Sequence, residues 1–204
     1  MDASPEISNG LSDVAIYFDY DADAAWNVQP TGEGLNYFQL IMDHYRTFRR
    51  LGLNVDFVHK NTEDFSGYKL ISVVGAIHIS SDLISRIANS MATLVFGPRT
   101  GARVGNMQIP KNLPPQINLV KSRILRVETL PSNVSLEIDP LGRAGRYIEI
   151  IKLDNNASPY LKLKNGQVIA TKEESGVIYL ASMIDQKGLT ASVSYAHLTL
   201  PTRS

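Results

Sequence analysis

Through its first hundred residues the chain alternates short apolar runs with one-sided amphipathic stretches. VAIYFD (14–19) is a run of β-branched and aromatic residues that suits a buried strand. A polar loop follows through Pro30, Gly32 and Gly34. In LNYFQLIMDHYRTFRRLG, residues Tyr37, Phe38, Ile41, Tyr45, Phe48 and Leu51 recur at three- and four-residue steps, so they share one helix face. Asn36 suits the N-cap of that helix, Arg49 and Arg50 its last turn, and Gly52 its end. NVDFV (54–58) and KLISVVG (69–75) read as the next strands, DLISRIANS (82–90) as a short helix and TLVFG (93–97) as a fourth strand. Strand–helix–strand alternation implies parallel pairing, and its repetition predicts a doubly wound α/β sheet.

The pattern changes after residue 98. GPRTGARVGNMQIPKNLPP is rich in Gly, Pro and Asn and reads as a long loop. RILRVETL, VSLEI and RYIEIIKL are strand-like. LKLKNGQVIA predicts a hairpin about a two-residue type I′ turn at Asn165-Gly166, pairing Leu163 with Val168 and Leu161 with Ala170. GVIYLAS (176–182) is another buried-strand run, available to rejoin the main sheet. The second half is therefore a mostly β elaboration of the first. The closing SVSYAHLTLPTRS fits nothing before it and reads as a non-native tail, with the natural sequence ending near Leu189.

Composition narrows the function classes. With 204 residues, 44% of them hydrophobic and 20% charged, the chain can bury a core. Its formal charge balances at zero, which argues against a general nucleic-acid or acidic-membrane binder. It contains no cysteine, so disulfides, thiolate metal sites and cysteine nucleophiles are excluded. MDASPEISNG lacks the basic stretch and apolar run of a signal peptide, and no apolar run is long enough to span a bilayer. The expected location is cytoplasmic.

Few residues carry candidate chemistry. Asp19, Asp21 and Asp23 have the spacing that opens a calcium loop, but its sixth and twelfth positions hold Ala24 and Pro30 instead of Gly and Glu. The favoured reading is a strand ending at Asp19, with Asp21 and Asp23 in a solvated loop, and no metal. Gly32 and Gly34 begin a dinucleotide fingerprint, but Tyr37 stands where its third small residue belongs. No motif implies a cofactor. The four histidines are scattered; His44 beside Asp43 reads as a helix-surface pair, and His78 follows a strand end, where functional groups gather in this architecture. Arg99 and Arg103 in PRTGAR, near Asp19 if strands one and four are neighbours, suit an anionic ligand, a pinned loop or a subunit contact. Without a phosphate-cradling loop the last two are favoured. Trp26, the only tryptophan, lies in the polar stretch and suits an interface anchor or simple loop packing.

FDYD, GLNYF, LGLNVD and GPRTGAR, together with KLISVVGAIHI, the later GRYIEII, the NG hairpin and GVIYLASMID, resemble the trimerisation domain of family-42 β-galactosidases over residues 13–189. The resemblance implies a flavodoxin-like or class I glutamine-amidotransferase-like sheet that holds three copies together. It also implies a parent enzyme that hydrolyses terminal β-D-galactosides with retention, using two carboxylates of a TIM-barrel domain. A barrel needs about 250 residues, which do not fit before residue 13, so the three aspartates are not that pair. The expected organisation is a linker remnant at 1–12, the domain at 13–189 with its C-terminal helix lost, and a non-native tail at 190–204. The expected function is a homotrimerising module, non-catalytic by itself, with Trp26, Arg99 and Arg103 at the interface. The alternative is a free-standing α/β binding protein for a sugar or anion, using His78, Arg99 and Arg103.

Overall fold

The computed structural model describes residues 12–195. Four parallel strands form the first half: β1 (Val14–Tyr17), β2 (Val55–Val58), β3 (Leu70–Val73) and β4 (Thr93–Phe96). They lie in the order β2-β1-β3-β4, each parallel to its neighbour. β3 therefore separates β1 from β4, so the condition that would set Arg99 and Arg103 beside Asp19 is not met. Side chains alternate across the sheet because strand residues point to opposite faces. Val14 and Ile16 face one apolar cluster; Ala15 and Tyr17 face the other.

Helix α1 (Tyr20–Val28) occupies the stretch expected to be loop. The Asp19 carboxylate caps it by accepting from the Asp21 N–H at 3.0 Å, and Asp21 and Asp23 lie in its first turn, where negative charge favours the helix dipole. This accounts for the alternating aspartates without a metal. Among the described residues no group of three or more His, Asp or Glu side chains is placed to hold an ion. Helix α2 (Tyr37–Arg50) starts at its Asn36 cap, as the sequence predicts. Its buried face is Tyr37, Leu40, Ile41, His44, Thr47 and Phe48. Phe38 points outward at 56% exposure, and His44 is buried rather than paired with Asp43 at the surface. The His44 Nδ1 lies 3.1 Å from the Ser72 hydroxyl of β3, and burial pushes the imidazole down to about 4. Helix α3 (Ser81–Ala88), capped by Ser80, packs Leu83, Ile84 and Ile87 on the opposite face of the sheet from α1 and α2.

The second half is antiparallel: β5 (Arg123–Thr129), β6 (Ser135–Asp139), β7 (Arg143–Lys152), β8 (Ala157–Leu163), β9 (Val168–Glu173), β10 (Ile178–Leu180) and β11 (Ser182–Ile184). β10 lies antiparallel to β9 and parallel to β4, so the chain rejoins the first sheet there. The β8–β9 hairpin keeps the Leu161–Ala170 pair but not Leu163–Val168. Asn165 is not in the left-handed region that a type I′ turn needs; Gly166 alone is, at φ 90°. The Leu163 N–H bonds the Gln167 carbonyl at 2.8 Å, giving a three-residue loop with a glycine bulge. The Glu173–Val177 connection repeats this device with Gly176 at φ 86°.

After β11 comes helix α4 (Gln186–Tyr195), where the sequence reading expected the helix to be lost. It lays Leu189 and Val193 on the cluster that α2 faces. The Tyr160 hydroxyl donates to the Ser192 carbonyl at 2.5 Å. Residues 190–195 of the expected tail lie in this helix; 196–204, like most of the expected linker remnant, lie outside the described residues. Among the described residues no helix is long and apolar enough to cross a membrane.

Candidate functional site: a cleft at the strand ends

β4 runs into Gly97-Pro98-Arg99-Thr100-Gly101, a turn that holds Arg99 at φ 66°. Such a conformation is costly for a residue with a side chain and persists only where the surroundings enforce it. Here they do. A Cβ on Gly97 would lie 2.3 Å from Val74 Cγ1, so no other residue lets the turn approach β3 so closely. Beyond it the segment is laced to the extension of β3: Gly101 N–H to the Ala76 carbonyl and Arg103 N–H to the Ile77 carbonyl, both at 2.9 Å, and the Thr100 hydroxyl to the Val73 carbonyl at 3.1 Å.

Arg99 then ties three elements together. Its guanidinium donates to the Gln29 carbonyl at 2.9 Å and to the Pro30 carbonyl at 3.4 Å, capping the end of α1. It also stacks 4.1 Å from the centre of the Trp26 ring, a cation–π contact. Trp26 donates its indole N–H to the Gly75 carbonyl at 2.8 Å. The Arg99 backbone N–H donates to Glu149 Oε1 of β7 at 2.9 Å. Glu149 Oε2 accepts from the Tyr179 hydroxyl of β10 at 2.7 Å, and Oε1 lies 3.4 Å from the Tyr147 hydroxyl. Burial pushes the Glu149 carboxyl up to about 7 against these donors, because ionisation takes charge out of water.

This assembly walls a cleft of about 940 Å³. Trp26, Arg99 and Glu149 are 1%, 6% and 1% exposed, and Arg99 and Glu149 line the cleft. Arg103 stands on the cleft wall, with Asp21 of α1 also lining it. Val28 of α1, Met107 of the long loop and Val127 of β5 line the cleft and are large, exposed apolar residues; Ile109, two residues beyond Met107, is 78% exposed.

His78 is elsewhere. It lines a smaller hollow of about 340 Å³ with Tyr17, Asp19 and Lys60. There Lys60 pairs with Asp21 at 2.9 Å, and burial raises the Asp19 carboxyl. The residues of the ligand-binding reading thus line two hollows, which share Asp21 and Met107, and the Arg99 guanidinium already has protein partners. Sequence reasoning missed Glu149, Tyr147 and Tyr179. The signal available was a lone acid inside the apolar strand RYIEII, on the same strand face as Tyr147.

The chain is similar to known proteins over most of its length. The model of the family "β-galactosidase trimerisation domain" matches residues 12–197. β-Galactosidase BgaA of a Thermus species is 32% identical over 173 residues, which cover 83% of this chain and 26% of that protein. A β-galactosidase of Thermus thermophilus is 32% identical over 178 residues, again 26% of its length. Among solved structures, the β-galactosidase of the psychrophilic Marinomonas ef1 superposes with a TM-score of 0.84 at 31% identity, over 91% of this chain and 28% of that one. The enzyme of Halorubrum lacusprofundi, at 24% identity and the same TM-score of 0.84, shares the fold. The chain thus spans about a quarter of the length of these relatives. With a family match that spans all the described residues, the chain belongs to the β-galactosidase trimerisation domain family.

Proposed function

We propose that this chain is the homotrimerising module of a cytoplasmic β-galactosidase acting on terminal β-D-galactosides, and that it performs no catalysis itself. Its partners are further copies of itself and the TIM-barrel domain of a longer parent chain, which supplies the carboxylates of a retaining mechanism. The order β2-β1-β3-β4-β10 supports placing the parallel half with flavodoxin-like, class I glutamine-amidotransferase-like sheets. The bounds read from the sequence, 13–189 with 190–204 as a non-native tail, are part of the same proposal.

One observation carries the self-association surface. Val28, Met107 and Val127 come from three separate elements, yet ring one concave site as exposed apolar groups. Apolar side chains grouped in this way mark a contact surface. A closed three-fold ring needs a head-to-tail contact, in which a hollow on one copy receives a different surface of the next. The cleft supplies the hollow. Arg103 adds a polar group on its wall, while Trp26 and Arg99 hold its shape.

Sedimentation of the purified chain tests this. The unaltered chain is expected to sediment as a trimer, and a Val28→Lys/Val127→Lys double variant as a folded monomer. A double variant that stays trimeric would remove the cleft from the interface. A monomeric unaltered chain at high concentration would remove the self-association reading itself.

A further inference from the structure

A trimer closed through the cleft needs an occupant for it, and the distribution of charge along the chain supplies one. Residues 12–45 hold six acids, and no lysine or arginine occurs before Arg46. Residues 83–127 hold seven lysines and arginines and no acid. The fold brings the two blocks to two walls of one cleft. The acidic wall is α1 and its exit, with Asp21, Ala24 and Val28; the basic wall is the segment after β4 together with β5, with Arg103, Met107 and Val127. Each wall also carries exposed apolar groups. Tyr20, Ala24 and Val28 recur at four-residue steps and so share one face of α1, with Tyr20 and Val28 81% and 80% exposed. On the basic wall Met107, Ile109 and Val127 are exposed. The charges are little engaged within the chain. Asp21 pairs with Lys60 only across an exposed contact, of a kind that contributes little, and the Arg103 guanidinium donates to its neighbour's Ala102 carbonyl. Among the described residues Asp23, Glu33, Arg103 and Lys111 form no ion pair.

We propose that the acidic α1 wall of one copy seats against the basic wall of the next, the Tyr20–Ala24–Val28 face covering Met107 and Val127 while Asp21 faces Arg103. The inference rests on the self-association reading and names the two surfaces that meet. A contact between unlike walls is head-to-tail, the kind that closes a three-fold ring. Pairing either wall with its own copy sets like charge against like, which disfavours that arrangement. The apolar groups supply area without direction, since such contacts fit many docked orientations. The opposed charges fix which wall meets which, and they draw the copies together from a distance at low salt.

Sedimentation of charge variants tests the contact. Asp21→Arg and Arg103→Glu, made singly, are each expected to weaken the trimer about tenfold or more. The chain carrying both reversals is expected to recover, because every contact of the ring then joins opposite charges again. Raising salt from about 0.05 M to about 0.5 M is expected to weaken the wild-type trimer by screening. Asp21→Asn and Arg103→Gln, which only remove charge, keep the test open where a reversal does not fold. Each should weaken assembly and flatten its salt dependence, and unchanged assembly in both overturns the contact. A double reversal that assembles no better than the singles overturns it as well. A trimer indifferent to all these changes removes the acid-on-base contact and leaves trimerisation standing. A wild type that is monomeric or dimeric removes the trimer and this contact together.

Discussion

His44 and Glu149 are both buried and titratable, and they push the pH dependence of stability in opposite directions. The folded-state value of His44 falls from 6.5 to about 4, so the unfolded chain takes up the proton first as pH drops. Its stabilising contribution is complete above 6.5 and is lost on acidification toward 4, amounting to about 3 kcal/mol. The folded-state value of Glu149 rises from 4.5 to about 7, so the unfolded chain releases its proton first as pH climbs. Its contribution is complete below 4.5 and is lost on the way to 7, also about 3 kcal/mol. Between 4.5 and 6.5 the two slopes oppose each other, so these groups leave the wild type nearly level there. In urea melts, Glu149→Gln should lose stability on acidification through this window, with the His44 slope unopposed, and His44→Gln should gain it. Parallel curves for all three proteins would contradict the assignment of buried, neutral His44 and buried, titrating Glu149.

At the scale of elements, the long and strongly patterned pieces were legible and the short or small-residue ones were not. β1 to β4, α2 and α3 are written in apolar runs and three- and four-residue steps, and they form where the pattern puts them. α1 was read as loop because its buried residues are Ala22 and Trp26 alone, too few to show a period. Its signature was at its start, where Asp19 precedes two more acids in the first turn. Asp19→Ala should therefore cost about 1 kcal/mol of stability, the usual worth of a side-chain cap, measured by urea denaturation. An unchanged midpoint would mean that α1 is held by Trp26 and Arg99 without help from its cap. The hairpin register shifts by one only near the turn, where the bulge between Leu161 and Lys162 absorbs it, for a related reason. Asn-Gly suits two different loops, and the choice rests on the backbone angle of Asn165, which the sequence does not write. The cleft was half legible: the arginine segment stood out, but Glu149 and Tyr179 come from strands that meet it only through the β10 connection.

The whole molecule is closed on one face by α4, which covers part of the cluster that α2 also packs against. Two of its buried residues, Ser192 and Val193, lie inside the segment read as a foreign tail. Whatever their origin, these residues complete the core. Deleting 190–204 should lower stability by about 2 kcal/mol, from the loss of the Val193 side chain and of the Ser192 carbonyl that satisfies Tyr160. Calorimetry and solubility of the shortened chain check this. An unchanged melting temperature would show that the tail contributes nothing to the fold.

β10 is three residues long, and among the described strands it alone pairs with both halves, Ile178 and Tyr179 with β4 and all three residues with β9. That has a consequence for the order of events during synthesis. Although β1 to β4 are made first, β4 keeps an open edge until translation passes residue 180, more than eighty residues later. A nascent chain on the ribosome thus carries an unfinished parallel sheet for that whole interval, which is when mispairing with another emerging copy is hardest to avoid.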